Sequence, residues 1–528
     1  MEEVNIQEYE EWLKQGNVFL GKGLFGDALT CYKRALRIFP ASVEVLSKLA
    51  TVYREMGQIT KAYKALSRVF ELNDEDTPIA IRVQLLDLEK HFIFWDRWNE
   101  EMTYCQSDEV LTSGAIPPFL LLSTPLNNKQ LCQVISASVR NNFMFREKPC
   151  AFSFADRKKD QKKIRLGFLC GDLRIHPTGY VIGEFFELID REKFDVYLYD
   201  THPDENSEPS KRIYSTTPNV CSVEKMTDEE AAKRIFDDKI DVLIDLNGHT
   251  SFHRLGIMTY HPAVAQGTFL GFLGTMGGIP GCNYNFADEY AVPPDQQQYY
   301  KEKIKYLYPV HRLVDRKVKI APAPLLRSDL SFSKDTIVLC CFNNTYKYTP
   351  NYFDLWVRIL KRVEKAVLWF YAGSDIVKQN IMAEFEKRGV EADRIVFCST
   401  VPHEEHLVRY QVADLLLDTE YYNAHTTAME ALYMGCPMIT CPGNTFTSRA
   451  GGAMLTALGM PEMICKDIKE YEEKVVKLCN TPGALKKLRE ETTEKAKSSD
   501  LFDTEKFARS FEKACQEMFE ESLKKLNG

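Results

Sequence analysis

Two stretches of this chain alternate short apolar runs with amphipathic segments, and no other feature limits the fold as much. In the first, Ile164 to Leu169 reads as a buried strand, Gly179 to Ile189 as a helix, Phe194 to Tyr199 as a strand, Asp228 to Ile235 as a helix and Val242 to Leu246 as a strand. In the second, strands at 336–342, 366–371, 394–398, 415–418 and 438–441 alternate with helices at 352–363, 375–388, 404–412 and 426–434. Strands apolar on both faces need helices on both sides, so each series predicts a parallel, doubly wound sheet. Between them, Pro309 to Ser333 is proline-rich and charged, the composition of a hinge. The last helices, Ile468 to Cys479 and Thr504 to Leu523, are expected to pack back across the molecule.

The first seventy-odd residues repeat. Trp12, Gly16, Phe19, Gly23, Ala28, Tyr32, Ala35 and Pro40 recur 34 residues later as Leu46, Ala50, Tyr53, Gly57, Ala62, Leu66, Val69 and Asp74. This is the tetratricopeptide pattern, in which small residues let paired helices approach and large ones fill the gap between pairs. A further helix from about Thr77 to Trp95 has lost the small positions and suits a cap on the array. From Glu100 to Lys162 the pattern is weak, with a Pro117-Pro118 break, a helix near Lys129 to Val139 and a polar run from Arg157 to Lys163. The expected architecture is therefore α + α/β: helical repeats over 1–98, a connector over 99–162, and doubly wound (Rossmann-like) domains over 163–333 and 334–528.

Composition narrows the function. A hydrophobic fraction of 45% with 27% charged residues belongs to a folded chain. The net charge of -8 is no basic footprint, so nucleic acid is not an expected partner, and any anion site must be local. The fifteen cysteines form no paired CxxC set and lie mostly in apolar runs, as reduced core residues do. The start at Met1-Glu2-Glu3 lacks the parts of a secretory leader, and no apolar run reaches membrane-spanning length. A cytoplasmic protein with no membrane partner is expected.

Ligands of open parallel sheets bind beyond the carboxyl ends of the strands. Four segments lie there. In Gly171-Asp172-Leu173-Arg174-Ile175-His176-Pro177-Thr178-Gly179, a loop opens a helix, and Asp172 and His176 could take part in proton transfer. Asp172 and Thr178 could equally be helix caps. Gly271 to Gly278 is a glycine-rich turn, which marks a close ligand approach or simply a tight loop. Asn343-Asn344-Thr345-Tyr346-Lys347 follows a strand directly, so Lys347 could neutralise a departing diphosphate. From His403 to Glu430, two helices begin in polar residues, an arrangement that binds anions through free amides and the helix dipole. Thr427 and Glu430 also match a capping box. His403 and His406 have half the spacing of a metal site but no third ligand, and Asp74-Glu75-Asp76, although it resembles a metal-binding DxD, reads as a solvated turn. No metal or other cofactor is expected.

With these residues on the page, the chain resembles a known family. Repeats followed by GDLRIHPTGY, GFLGTMGG, FNNTYK, PHEEHLVRYQVADLLLDT and NAHTTAMEALYMGCPMIT are similar, from about Trp12 to Phe511, to the protein O-linked N-acetylglucosamine transferases. Their catalytic region is a GT-B fold of two such domains, and the short array with no long insertion resembles compact bacterial members. The resemblance implies an inverting, metal-independent transfer from UDP-N-acetylglucosamine to serine or threonine of a protein, the repeats helping to place an extended acceptor. By motif position it implies that Lys347 stabilises the UDP leaving group, with Thr178 and Asn344 also lining the substrate site. It places His425, Thr426 and Thr427 on the diphosphate and Glu430 on the ribose. His406, Arg409 and the backbone at Val401 take the uracil, and His176 and Asp172 stand near the reacting centre.

Three positions depart from the family pattern. His403 replaces a basic residue at the start of the uracil-binding helix, which weakens any phosphate contact there. Pro117-Pro118-Phe119 stands where close relatives carry a histidine-rich segment. Tyr422 stands where they have a small residue bordering the N-acetyl pocket, so a hexose donor, with transfer to oxygen or nitrogen, is the alternative. A catalytically silent adaptor is the remaining reading, and the array is compatible with a homo-oligomer.

Overall fold

The computed structural model describes residues 5–73, 76–143, 152–159 and 161–527. Asp74 and Glu75, assigned above to a solvated turn, lie outside that set, as does Asp160 of the polar run. The chain divides into two compact units, one up to Cys105 and one from Gln106 onward.

In the first unit, helices Ile6–Gly21 and Phe25–Ile38 form one antiparallel pair and Val43–Glu55 and Ile59–Asn73 the next, followed by Ile79–Phe92. Ala28, Tyr32 and Ala35 of the first pair and Val45, Leu49 and Val52 of the second share one core. Gly16 shows why a repeat needs its small residue. A Cβ built on it would stand 2.5 Å from Cε1 of Tyr32, and the Tyr32 hydroxyl is tied to Asn17 Oδ1 at 2.8 Å, so the ring has little freedom to withdraw.

The second unit holds two sheets, all of whose strand pairs are parallel. The first contains β1 (Ile164–Cys170), β2 (Phe194–Asp200), β3 (Val220–Ser222), β4 (Val242–Asp245), β5 (Ala265–Thr268), β6 (Tyr284–Ala287) and β7 (Lys303–Tyr306), ordered β3-β2-β1-β4-β5-β6-β7. The second contains β8 (Ile337–Cys341), β9 (Ala366–Tyr371), β10 (Ile395–Cys398), β11 (Leu415–Leu417) and β12 (Met438–Ile439), ordered β10-β9-β8-β11-β12. The order reverses between β1 and β4 and again between β8 and β11. Each reversal opens a crevice at the carboxyl ends of those strands.

Both faces of the first sheet are buried. Leu166, Phe168 and Cys170 of β1 enter one core and Leu169 the other. The closing helix Thr504–Asn527 covers the first of these faces: Phe507, Phe511, Ala514 and Met518 belong to the core of β1 and β4. The ring of Phe511 stacks on Phe286 at 4.8 Å and meets Phe185 edge-on at 5.0 Å. That helix returns as expected. Helix Ile468–Asn480 does not, because it rests on Pro350–Arg362 of its own domain, with Glu472 accepting from Arg358 at 2.7 Å.

The expected hinge is pinned over its first part. Residues 310–315 are buried. Two of their charged groups are buried with partners, His311 on Asp288 and Asp315 on Arg212, and the exposed Arg316 that follows is tied to Glu184 at 2.6 Å. Such partners are the condition for burying charge, and they remove the freedom a hinge needs. Among the described residues no helix is long and apolar enough to cross a membrane.

The repeat geometry predicts a compensated pair. Gly16→Ala should lower stability by about 1–3 kcal/mol through overpacking. Adding Tyr32→Leu, which recreates the Ala50 and Leu66 pairing of the second repeat, should recover part of that loss. A double-mutant cycle by thermal unfolding measures it, and purely additive losses would show that the ring does not set the requirement for glycine.

Candidate active site

The sequence-derived residues gather in three clusters of the second unit. The first lies at the end of β8. Asn344 opens a short 3-10 turn, Thr345–Lys347, which carries the lysine inward until it is 8% exposed. Lys347 Nζ donates to the carbonyl of Asn423 at 2.9 Å and to Asn343 Oδ1 at 3.3 Å, and it lies 4.4 Å above the ring of Tyr422. Asn343, then, is the residue that holds the lysine, while Asn344 stays exposed at the turn. Burial pushes the Lys347 pKa down to about 7, against the pull of Asp418 and helped by Arg312.

The loop after β11 completes this cluster. Buried Asp418 accepts from Thr440 Oγ1 at 2.6 Å and from the amides of Thr419 and Ala424 at 2.8 and 2.6 Å, which folds residues 419–424 back on themselves. Helix Thr426–Tyr433 then begins at His425 with no side-chain cap. Of the alternatives open at the sequence level, the capping box is therefore excluded: Thr427 caps nothing, and Glu430 accepts from His403 Nε2 at 2.7 Å. The first amides of this helix, at Thr426 and Thr427, have no intrahelical acceptor, and both residues are half-buried. His425 is committed elsewhere, its Nε2–H donating to the Thr447 carbonyl at 3.2 Å and its Nδ1 accepting from Arg312 at 3.0 Å. Tyr422, 6% exposed, packs 4.7 Å from the His425 ring and meets Tyr346 and Phe119 edge-on. Phe119 thus carries the connector into the site.

The second cluster is the start of helix His403–Val412. Arg409 is buried and holds the preceding loop by donating to the Ser399 carbonyl at 2.8 Å, while touching His406 Nδ1 at 3.4 Å. The backbone of Val401 has no hydrogen-bond partner among the described residues. Burial pushes His406 down to about 4. His403 makes its contacts inside the protein, with Glu430 and with the ring of Tyr180, stacked at 4.1 Å.

Tyr180 belongs to the third cluster, at the ends of β1 and β4. Asp172 does not cap helix Pro177–Leu188. Its Oδ2 accepts from Asn247 Nδ2 at 2.7 Å, and Asn247 Oδ1 accepts from the Gly171 amide at 2.8 Å, so Asn247 ties the loops on either side of the crevice. The cap is His176, extended before Pro177, whose Nδ1 accepts from the Thr178 amide at 3.2 Å. With Nδ1 accepting, Nε2 bears the hydrogen. Burial lowers the His176 pKa, opposed by Asp172 at 3.9 Å. Gly179 permits the tight entry, since a Cβ there would fall 2.1 Å from the Arg174 carbonyl oxygen. The glycine-rich turn serves packing in part: a Cβ on Gly271 would meet the Leu246 carbonyl oxygen at 2.3 Å.

Sequence reasoning missed Asn247, Asn343, Tyr180 and Arg312. Tyr180 and Asn343 stand inside the quoted GDLRIHPTGY and FNNTYK stretches without having been given a role, Asn247 follows a predicted strand directly, and Arg312 belongs to no motif. A cavity of about 590 Å³ lies nearby, lined by Asn351, Glu420, Tyr421 and Thr445. We place the site at Lys347 because the open amides and buried cations are there. Together they can hold a multiply charged anion, and among the described residues no group of His, Cys, Asp and Glu could hold a metal.

Lys347 has a measurable cost. A lysine whose folded pKa lies near 7 binds fewer protons folded than unfolded between that pH and its ordinary 10.5, so the penalty is full below pH 7 and fades as pH rises through this window. Lys347→Met should therefore stabilise the free protein at pH 6 by about 1–4 kcal/mol. The gain should shrink toward pH 10. Urea unfolding across pH tests this, and a variant less stable than wild type at pH 6 would contradict it.

Comparison with known proteins identifies the family and the fold. The profile of Glycosyl transferase family 41 matches residues 138–321 and 315–511. The Arabidopsis thaliana protein named "Probable UDP-N-acetylglucosamine--peptide N-acetylglucosaminyltransferase SEC" is 32% identical over 68% of this chain and 37% of its own length. A Caenorhabditis elegans UDP-N-acetylglucosamine–peptide N-acetylglucosaminyltransferase is 24% identical over 69% of this chain and 42% of its own. The chain thus spans less than half the length of these relatives. A mutant of Thermobaculum terrenum O-GlcNAc transferase shares the fold, with a TM-score of 0.79 and 24% identity over 99% of this chain and 100% of that one. The fold is accordingly tetratricopeptide repeats followed by a GT-B pair of doubly wound domains. Matched by the family profile over most of its length, the chain belongs to glycosyl transferase family 41.

Proposed function

We propose that this protein is an inverting, metal-independent glycosyltransferase that moves N-acetylglucosamine from UDP-N-acetylglucosamine to serine or threonine hydroxyls of proteins. One observation carries the reading. A buried lysine, bonded only to neutral oxygens, lies at the end of β8 in one cluster with the uncapped start of helix Thr426–Tyr433. Family membership and the printed activities of the relatives support it.

In this reading the uracil lies against the backbone of Val401 and helix His403–Val412, beside His406, with the ribose near Glu430. The diphosphate lies on Lys347 and the amides of Thr426 and Thr427. The acceptor oxygen attacks the anomeric carbon from the face opposite UDP, and the bond to the β-phosphate oxygen breaks with its electrons on that oxygen. Lys347 and the helix amides neutralise the charge that develops there, as preorganised donors do. His176, with Nδ1 occupied by the Thr178 amide, presents Nε2–H and orients the acceptor, whose proton passes to solvent. The Thr178 amide holds His176 in place, with Asp172 3.9 Å away favouring its charged form. We assign the activity to the cytoplasm, where the described cysteines, none of them disulfide-bonded, would stay reduced.

Tyr422 favours a second reading of the donor. Its buried ring fills the space between Lys347 and His425, the region the family resemblance gives to the N-acetyl group, and a hexose would need less room there.

Wild-type protein should bind UDP, and transfer should persist in EDTA. Lys347→Met should lose transfer by about a hundredfold or more while staying folded. No UDP binding at about 1 mM would sink the reading. Intact-mass analysis of a co-expressed acceptor separates the donors by the added mass. If the added group is a hexose and Tyr422→Cys admits N-acetylhexosamine, the second reading replaces the first.

A further inference from the structure

Residues 311–316 hold four groups that can carry charge, and three are paired. His311 lies on Asp288, Asp315 on Arg212 and Arg316 on Glu184. Arg312 is the exception. It is 8% exposed, its Nε has no hydrogen-bond partner, and one Nη2–H goes to His425 Nδ1 at 3.0 Å. Among the described residues it makes no ion pair. A guanidinium does not shed its proton, so the charge stays and the fold carries its cost. A residue kept only for packing would not need that charge.

Its position shows what would relieve the cost. The ring of His425 holds Arg312 on one side and lies 4.7 Å from Tyr422, over which Lys347 stands at 4.4 Å. Two buried cations thus flank one tyrosine–histidine pair at the uncapped start of helix Thr426–Tyr433. The contact with Arg312 also leaves His425 neutral, with its hydrogen on Nε2 toward Thr447. The histidine supplies no charge of its own, and the arginine stands where that charge is missing.

We infer that Arg312 is a second cation for the nucleotide-sugar diphosphate, shared between it, Lys347 and the amides of Thr426 and Thr427. This rests on the nucleotide-sugar reading above. An arginine offers planar paired donors to a phosphate, which the point charge of a lysine does not. A carboxylate on the sugar would present the same oxyanion chemistry, so the test separates the two sources.

Purified full-length protein is titrated with UDP, uridine and UDP-glucuronic acid, as wild type, Arg312→Met and Arg312→Lys, with melting temperatures taken without ligand. Arg312→Met should weaken UDP about tenfold or more while changing uridine less than about twofold. Arg312→Lys should keep most of the UDP affinity. The ligand-free methionine variant should melt no lower than wild type, because an unpaired buried charge has gone. Unchanged UDP affinity, with or without a loss confined to UDP-glucuronic acid, would overturn the assignment. So would a parallel fall in UDP and uridine binding. If wild type bound no UDP, the nucleotide-sugar reading itself would fail, a result distinct from a normal wild type with an indifferent Arg312 variant.

Discussion

Cations buried without a bonded counter-charge are the constraint around which the site is built. Lys347 is bonded only to neutral oxygens and Arg312 to a neutral imidazole, although Asp418 lies near enough to Lys347 to act on its charge. The carboxylates of Asp418 and Asp288 are spent on other work, Asp418 on the loop that leads into helix Thr426–Tyr433 and Asp288 on His311. Had either paired with a site cation, the free protein would be easier to fold and the site would have lost one of its two positive charges. The surrounding apparatus of Tyr422, His425, Thr447 and Asn423 keeps two positive charges apart, dry and in place. Such preorganisation makes charge stabilisation effective in a low-dielectric crevice.

This constraint explains which parts of the molecule were legible in the sequence. Strands β1, β4, β8 and β11 appear as apolar runs because both of their faces are largely buried, and β2, β9 and β10, half-buried in places, keep enough apolar residues to be read as strands. Strands β5, β6 and β7 do not. They are four residues each, Ala265–Thr268, Tyr284–Ala287 and Lys303–Tyr306, and they include Gln266, Asn285 and Lys305, which are buried by bonding to backbone or to glutamates of the last helix. A buried polar residue with a partner looks, in one dimension, like a surface residue. Helix Thr504–Asn527 was legible as a helix, whereas its place on the first sheet became clear only from Phe507, Phe511 and Met518 in that sheet's core.

The site divides in the same way. Lys347, His425, Thr426 and Thr427 could be found because they follow strands or open helices, and position after a strand is a property of the sequence. Arg312 could not, since its meaning lies in what is absent around it. Nothing in Val310 to Arg316 separates the unpaired arginine from its paired neighbours until Asp288, Arg212 and Glu184 arrive from elsewhere in the chain. Glu430 erred in the other direction: four residues into its helix and three after Thr427, it fits a capping box, yet the partner it takes is His403 from another helix.

His403 shows how the two doubly wound domains are coupled at the site. It takes Glu430 with Nε2 and the face of Tyr180 with its ring, so one side chain links helix His403–Val412, helix Thr426–Tyr433 and helix Pro177–Leu188. Tyr180 lies one turn beyond His176, whose Nδ1 starts that same helix. A shift in the first domain that disturbed the stack would therefore move His176 and, through Glu430, the uncapped start of helix Thr426–Tyr433. The histidine here is bonded inside the protein and ties the second-domain side of the crevice to the first-domain side, so the buried cations of the site come instead from Lys347 after β8 and Arg312 in the segment between the sheets.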